Sequence, residues 1–372
     1  MVSKREAFFL LAAASFLCPS CGSDRISPVT MEQIRQSHLR MLTVDSRVNA
    51  ASYIMRPDWN IGERHGSRKP KASRFDLPRM KEGGLDAAFF VIPVPRADSA
   101  PANAGEPRET ILRSIGRIKR IMEGHPGQIG LGSSPEDAYR HEKEGRLTAY
   151  IGLDDGRAIG ADLSLIAAYH AEGVRYLTLC GESDNDICDS ATDEAGPEDR
   201  GLSDFGRRVV AECNRVGMII DLAHCSEKSF FDVLAASRAP VIVSHAAARA
   251  LCDRPENLTA GMIRALAEKR GVVQVCMVPE LLIGTRPAKG VGVPDFADHI
   301  DHIIRIAGVG GVGIGSDFCG GGGVAGCEDV SGILNLTVEL LRRGYDELSV
   351  EMIWSNNIMR VFKDVIRIAD TR

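Results

Sequence analysis

The sequence predicts an α/β fold of the (β/α)8 barrel type. Three observations carry that reading. Eight short apolar runs, each the length of a buried strand, alternate with segments of helical periodicity from residue 41 to the C-terminal region. No Gly-x-Gly-x-x-Gly follows the first run, so a doubly wound dinucleotide fold lacks its fingerprint. Two of the runs end on histidine, and in parallel α/β folds the residues that carry chemistry gather at the C-terminal ends of strands.

The element order follows from local chemistry. Met31–Arg40 reads as a helix and Met41–Val44 as the first strand. Residues 51–82 are polar, with Arg64, His65, Lys69, Lys71 and Arg74, and read as an irregular inserted loop. Gly84–Pro93 is the second strand, followed by a helix with Ile111, Ile115, Ile118 and Met122 on one face and Gly124 near its stop. Leu147–Leu153 and Val174–Leu179 are the third and fourth strands, with a helix over Leu163–His170 between them. An acidic loop over 182–200 precedes a helix in which Phe205, Val209 and Cys213 share a face.

Met218–Ile220 is the fifth strand and runs into Asp221-Leu-Ala-His224. Ser226 is a candidate N-cap for the next helix, with Phe230, Val233 and Leu234 at helical spacing. Pro240 bars that helix from continuing, and Val241–Val243 is the sixth strand, ending in Ser244-His245. Gly271–Met277 and Val309–Ile314 are the seventh and eighth, the last running into Gly315-Ser-Asp317. Gly320–Gly323 lacks the Lys-Ser/Thr of a phosphate loop and reads as a flexible loop beside the strand mouth.

Composition narrows the function classes. With 372 residues and 44% hydrophobic content the chain can bury one large core. The net charge of −5 offers no basic footprint for nucleic acid. Ten cysteines lie scattered without paired metal-ligand spacing and do not read as a disulfide framework. Residues 1–25 are expected to be a signal peptide or disordered N-terminus. Lys4 and Arg5 precede a short apolar run, Ala7–Leu17, too short to span a bilayer. Export to the periplasm or the exterior is therefore expected, with Cys18 and Cys21 leaving a lipid anchor open, and 26–372 is expected to form a single barrel domain.

In a barrel the strand ends line one mouth. Here they bring Arg47, Asn49, Asp154, Asp155, Cys180, Gly181, His224, His245 and Asp317 together. Imidazoles and carboxylates in one pocket suit Zn²⁺, and a further carboxylate can move a proton.

With those residues in view, the stretch from about 30 to 363 resembles the renal, or membrane, dipeptidase family of the amidohydrolase superfamily. Asn60–His65, Asp76–Asp86, Gly173–Leu179, Gly217–His224, Ala239–His245, Gly313–Phe318 and Asn357–Phe362 carry the resemblance, collinearly. It implies a (β/α)8 barrel with two bridged zinc ions that hydrolyses dipeptides, often tolerating a D-residue at the C-terminal position.

Carried over position by position, the resemblance implies His224 and His245 as ligands of the second zinc and Asp317 as the catalytic carboxylate. The bridging Glu becomes Asp154, one methylene shorter. The His-x-Asp of the first zinc falls on Arg47 and Asn49. Arginine has no lone pair to offer and Asn is a weak neutral ligand, so these two metal positions are degenerate. The substrate-polarising His becomes Gly181, the Arg that meets the substrate carboxylate becomes Glu256, and the second Asp of Ser-Asp-Phe-Asp-Gly becomes Cys319.

Two functions therefore stay open. The first is a hydrolase of dipeptides or a related small amide, working on one zinc held by Asp154, His224 and His245. Asp317 would be its acid/base, Arg47 would pair with Asp317 or Asp154, and Cys180 or Cys319 is a candidate soft ligand. The second is a barrel that binds a small ligand or acts as a scaffold without catalysis, using Arg47, Arg157 and Glu256. Neither requires nucleic acid or a transmembrane segment, and both allow a homodimer.

Overall fold

The computed structural model describes residues 30–370 except 57, 67–72, 95–106, 194–198 and 285–289; the expected signal peptide, 1–25, lies outside the described residues. Nine parallel strands form one sheet: β1 (Val44–Val48), β2 (Ala87–Pro93), β3 (Ile129–Leu131), β4 (Leu147–Asp154), β5 (Val174–Thr178), β6 (Ile219–Asp221), β7 (Ile242–Ala246), β8 (Val272–Val275) and β9 (Val312–Ile314). Eight follow the order β1-β2-β4-β5-β6-β7-β8-β9, and β3 pairs outside that path with β4. The ends meet where Val48 bridges Phe318. There the Asp317 N–H donates to the Arg47 carbonyl at 3.0 Å and the Asn49 N–H to the Phe318 carbonyl at 2.8 Å. The result is the (β/α)8 barrel that the alternation of strands and helices predicts.

Period-two burial divides each strand between two cores. Val44, Ala87, Phe89, Tyr150, Tyr176, Ile219, Ile242 and Val272 fill the lumen, where Phe89 stacks on Tyr150 with ring centroids 4.8 Å apart. One face of the last helix, Asn357–Asp370, plugs this lumen with Ile358, Phe362 and Val365. Ala88, Phe90 and Ile151 point the other way, into the layer of surrounding helices. Most lumen residues sit early in their strands, so the C-terminal mouth stays free for polar side chains.

Several boundaries differ from the sequence reading. β1 begins three residues later than expected, which puts Arg47 inside the strand rather than past it, and His245 likewise lies within β7. Strand β3 is too short for periodicity to reveal. The described part of 51–82 is not an irregular loop. Asp76 caps a helix over Leu77–Gly83 by accepting from the Arg79 N–H, and Trp59, Ile61 and Phe75 are buried in the core. The polar composition misleads because Arg79 is itself buried, neutralised by Asp76 and by Asp329 at 2.9 Å. Ser226 does cap the helix Glu227–Ala236, accepting from the Ser229 N–H.

Candidate active site

A cavity of about 400 Å³ opens at the C-terminal ends of the strands, lined among others by Arg47, Asn49, Asp154, Gly181, His224, His245, Glu256 and Asp317. These eight residues thus border one space, which Cys180 and Cys319, the candidate soft ligands, do not line.

The β6–β7 corner holds the histidines. Their Nε2 atoms lie 3.0 Å apart, close enough for one ion to touch both. Asp221, buried at the end of β6, accepts the Ala223 N–H at 3.1 Å and the Ser244 N–H at 2.7 Å. It also accepts the Thr178 and Ser244 hydroxyls, each at 2.6 Å. Because the Ser244 proton goes to Asp221, the Ser244 oxygen accepts from His245 Nδ1 at 2.9 Å. The network therefore assigns the His245 proton to Nδ1 and a lone pair to Nε2. Burial holds the His245 pKa well below its usual range, and Arg47 and His224 push it the same way. A neutral imidazole with its lone pair directed at its partner is the donor that a divalent ion requires.

The β1–β9 corner is built on the same plan. Asp45 accepts the Arg47 N–H at 3.1 Å, the Ser316 N–H at 2.9 Å and the Ser316 hydroxyl at 2.5 Å. What it presents is different. Arg47 donates through Nε to Asp317 at 2.8 Å and through Nη2 to Asp154 at 2.7 Å, all three side chains being buried or nearly so. Burial opposes the Arg47 charge, but the two carboxylates outweigh it and the guanidinium stays protonated. Burial raises both carboxylates. Arg47 outweighs it at Asp154, which falls below the usual range, and fails to at Asp317, which stays above.

These groups do not all fit a metal. The histidine pair does. The position of a first ion does not, since Arg47 spans it. Asp154 leaves Oδ1 buried without a hydrogen-bond partner, while Oδ2 is committed to Arg47. Among the described residues the only three His, Cys, Asp or Glu donors within 4.8 Å of one another are Cys180, Cys188 and Cys225. Asp154 therefore stands in the same cavity as the histidines without closing a three-ligand set.

The backbone is strained at the site: the non-glycine residues Asp155, His224 and Asp317 have φ of 113°, 66° and 56°. The glycine run after β9 wraps the last of these. The N–H groups of Gly320 and Gly322 both donate to the Asp317 carbonyl at 2.9 Å, and a Cβ on Gly320 would collide with the Asp317 carboxylate.

The positions that the resemblance assigns to substrate carry other contacts here. A Cβ on Gly181 would stand 2.7 Å from Asp155 Oδ2 and 3.6 Å from Arg157 Nη2. The Asp155–Arg157 ion pair, with Nε to Oδ2 at 2.8 Å, fills the room a larger residue would need. Glu256 meets Arg254 Nη2 through Oε1 at 3.3 Å, and its Oε2 is buried without a partner. Cys180 and Cys319, expected as candidate soft ligands, do not face the histidines. Cys180 Sγ lies 3.8 Å from Cys225 Sγ, and Cys319 Sγ lies 3.9 Å from the Ser73 hydroxyl. Sequence reasoning missed Asp45, Asp221 and Thr178; for the two aspartates, an Asp two or three residues before Arg47 and His224, with Ser just before His245 and Asp317, was the available signal.

The sequence model of "Membrane dipeptidase (Peptidase family M19)" matches residues 31–372. The chain belongs to the M19 membrane dipeptidase family. Dipeptidase tcpJ of Claviceps purpurea is 34% identical over 318 residues, 84% of this chain and 74% of that protein. The crystal structure of the probable dipeptidase PvdM from Pseudomonas aeruginosa superposes with a TM-score of 0.81 at 26% identity, covering 91% of this chain and 99% of that one. A metallopeptidase from Rhodobacter sphaeroides, liganded with a phosphinate mimic of the dipeptide L-Ala-D-Ala, gives a TM-score of 0.78 at 27% identity over 87% of this chain and 99% of that one. M19 proteins are metallopeptidases, and this chain is a dipeptidase-like hydrolase by kinship. Among the described residues no helix is long and apolar enough to cross a membrane.

Proposed function

We propose that this M19 chain hydrolyses a dipeptide or related small amide with one divalent metal ion, zinc by the nature of its ligands, held by His224 and His245. The observation that carries this reading is the tautomer set by Asp221 and Ser244, which leaves His245 Nε2 an unprotonated donor 3.0 Å from His224 Nε2. Bound there, the ion would supply a Lewis acid and lower the pKa of a water toward neutrality. Asp154, with its free Oδ1, is placed to join as a third ligand if its carboxylate turns from Arg47.

The chain's own residues do the rest. Asp317, buried and with its pKa held above the usual carboxylate range, takes a proton from the attacking water and returns it to the leaving amine as the C–N bond breaks. Arg47 orients Asp317 through Nε and supplies fixed positive charge where the family resemblance implies a first ion. A single charge replaces a dication, so the rate is expected to be lower than for a two-metal site.

Glu256 sets the substrate preference. Arg254 balances one of its oxygens and leaves Oε2 buried and unpaired at the cavity wall, so a ligand that is neutral or cationic at that end, such as an amidated dipeptide, is favoured over a free acid.

Metal analysis of the purified protein tests the reading. One equivalent of a divalent ion, lost in His224→Ala, is expected; no ion near stoichiometric level removes it. A second reading, a binding protein without turnover, draws on the Arg47–Asp317 pair, which ties up the one carboxylate placed for proton transfer. It predicts a ligand-induced rise in melting temperature with no hydrolysis.

A further inference from the structure

Three cysteines meet behind the histidine corner. Cys180 follows β5, Cys188 lies in the loop beyond it, and Cys225 follows His224. Cys225 Sγ is 3.8 Å from Cys180 Sγ and 3.9 Å from Cys188 Sγ, and all three sulfurs lie within 4.8 Å of one another. They are 0%, 1% and 4% exposed, in chain order, and none is in a disulfide. Sulfurs bound ~2.3 Å from a common centre stand ~3.8 Å apart in a tetrahedron and ~4.0 Å apart in a trigonal plane, so the spacing already matches a coordination sphere. No other His, Cys, Asp or Glu among the described residues joins the group.

We propose that Cys180, Cys188 and Cys225 form a second, separate metal site, for a soft cation of low coordination number, Cu(I). Three sulfurs without a fourth side-chain donor leave a zinc ion one ligand short, whereas soft monovalent copper is satisfied by thiolates alone. Each sulfur that coordinates releases its proton to solvent.

The site would brace the active centre without entering it. Cys225 adjoins His224, and Cys180 adjoins Gly181, and both of those neighbours line the cavity. The loop carrying Cys188 is already tied to the same corner: the Ala191 N–H donates to the His224 carbonyl at 2.7 Å, and the Ser226 N–H donates to the Asp189 carbonyl at 2.9 Å. An ion across the three sulfurs would join the β5 end, the 180–191 loop and the strained His224 turn at one point.

The test uses the full chain, reduced, with Cu(I) held by a chromogenic competing chelator. One Cu(I) per chain should be withdrawn from the chelator, with a near-ultraviolet sulfur-to-copper charge-transfer band. Cys188→Ser and Cys225→Ser should each weaken binding by roughly tenfold or more and abolish the band. Cys252→Ser, outside the trio, and the double variant His224→Ala with His245→Ala should keep it, which separates this site from the histidine pair. Should the serine variants not fold, X-ray absorption at the copper edge of the unaltered protein decides, with three sulfur neighbours expected. No copper withdrawn, a band lost with the two histidines, equal weakening by Cys252→Ser, or nitrogen in place of sulfur around the copper would each overturn the proposal.

Discussion

At the β6–β7 corner, Asp221 accepts a backbone N–H from its own strand end and both the N–H and hydroxyl of Ser244 from the neighbouring strand. At the β1–β9 corner, Asp45 does the same with Ser316. In each case a buried carboxylate clamps the serine that precedes a site residue, His245 in one corner and Asp317 in the other. The clamps match, yet the first corner presents two imidazoles with a lone pair to share and the second presents a guanidinium locked between two carboxylates. The scaffold that aims a side chain is thus independent of the chemistry the side chain carries. One corner can carry imidazoles and the other an internal ion pair on the same plan of strand ends.

The largest contrast should come from removing the donors at the first corner. His245→Ala is expected to lose the divalent ion and at least ~100-fold in hydrolytic rate while the fold persists, checked by metal content, kcat and circular dichroism. Retained activity without metal would break the division between the corners.

At the second corner the dominant effect should be on stability. Arg47→Ala leaves Asp154 and Asp317 buried without their counter-charge and is expected to cost about 3–5 kcal/mol in denaturant unfolding. Arg47→His together with Asn49→Asp is the sharper variant. If the corner lost only its donors, metal stoichiometry should rise from one to two per chain.

The clamps themselves give an intermediate effect. Ser244→Ala frees the His245 Nδ1 proton from its acceptor and is expected to weaken metal affinity by about 10- to 100-fold, measured by chelator competition. Ser316→Ala should leave that affinity nearly unchanged and act on kcat through Asp317. Equal effects on affinity would show that the corners are coupled.

A pH term from elsewhere in the barrel has to be separated from these. His38 is buried, bonded to Thr337 and to the Gly83 carbonyl, and burial lowers its pKa from 6.5 to about 4. The folded state therefore favours neutral His38. That stabilisation is fully present above pH 6.5 and is lost as pH falls toward about 4, a change of about 3 kcal/mol. Urea melts between these limits should show a decline, and His38→Gln should remove its share of it, leaving the share from His170, which burial also lowers to about 4, without altering metal affinity. The smallest effect expected is on substrate charge: matched amidated and free-acid dipeptides should differ in kcat/KM by several-fold in favour of the amide, and a preference for the free acid would remove the role given to Glu256.

The sequence by itself determined the barrel, because strand-length apolar runs alternating with helical periodicity have few other ways to bury their faces. It also determined which residues reach the mouth, since strand ends converge whatever their side chains; Arg47, Asp154, Gly181, His224, His245 and Asp317 were legible in this way, whereas Glu256, also in the lining, was legible only through the family resemblance. It showed that Arg47 cannot ligate, because that is a property of the guanidinium alone. Only the tertiary structure decided that Arg47 reaches both Asp154 and Asp317 at once, that Asp155 and Arg157 take the room beside Gly181, and that three cysteines spread over 46 positions of chain pack sulfur to sulfur. The clamping roles of Asp45 and Asp221 were hidden for the same reason. Each depends on the serine of a different strand, and that pairing is set by how strands close into a barrel, a long-range outcome of packing that no local pattern encodes.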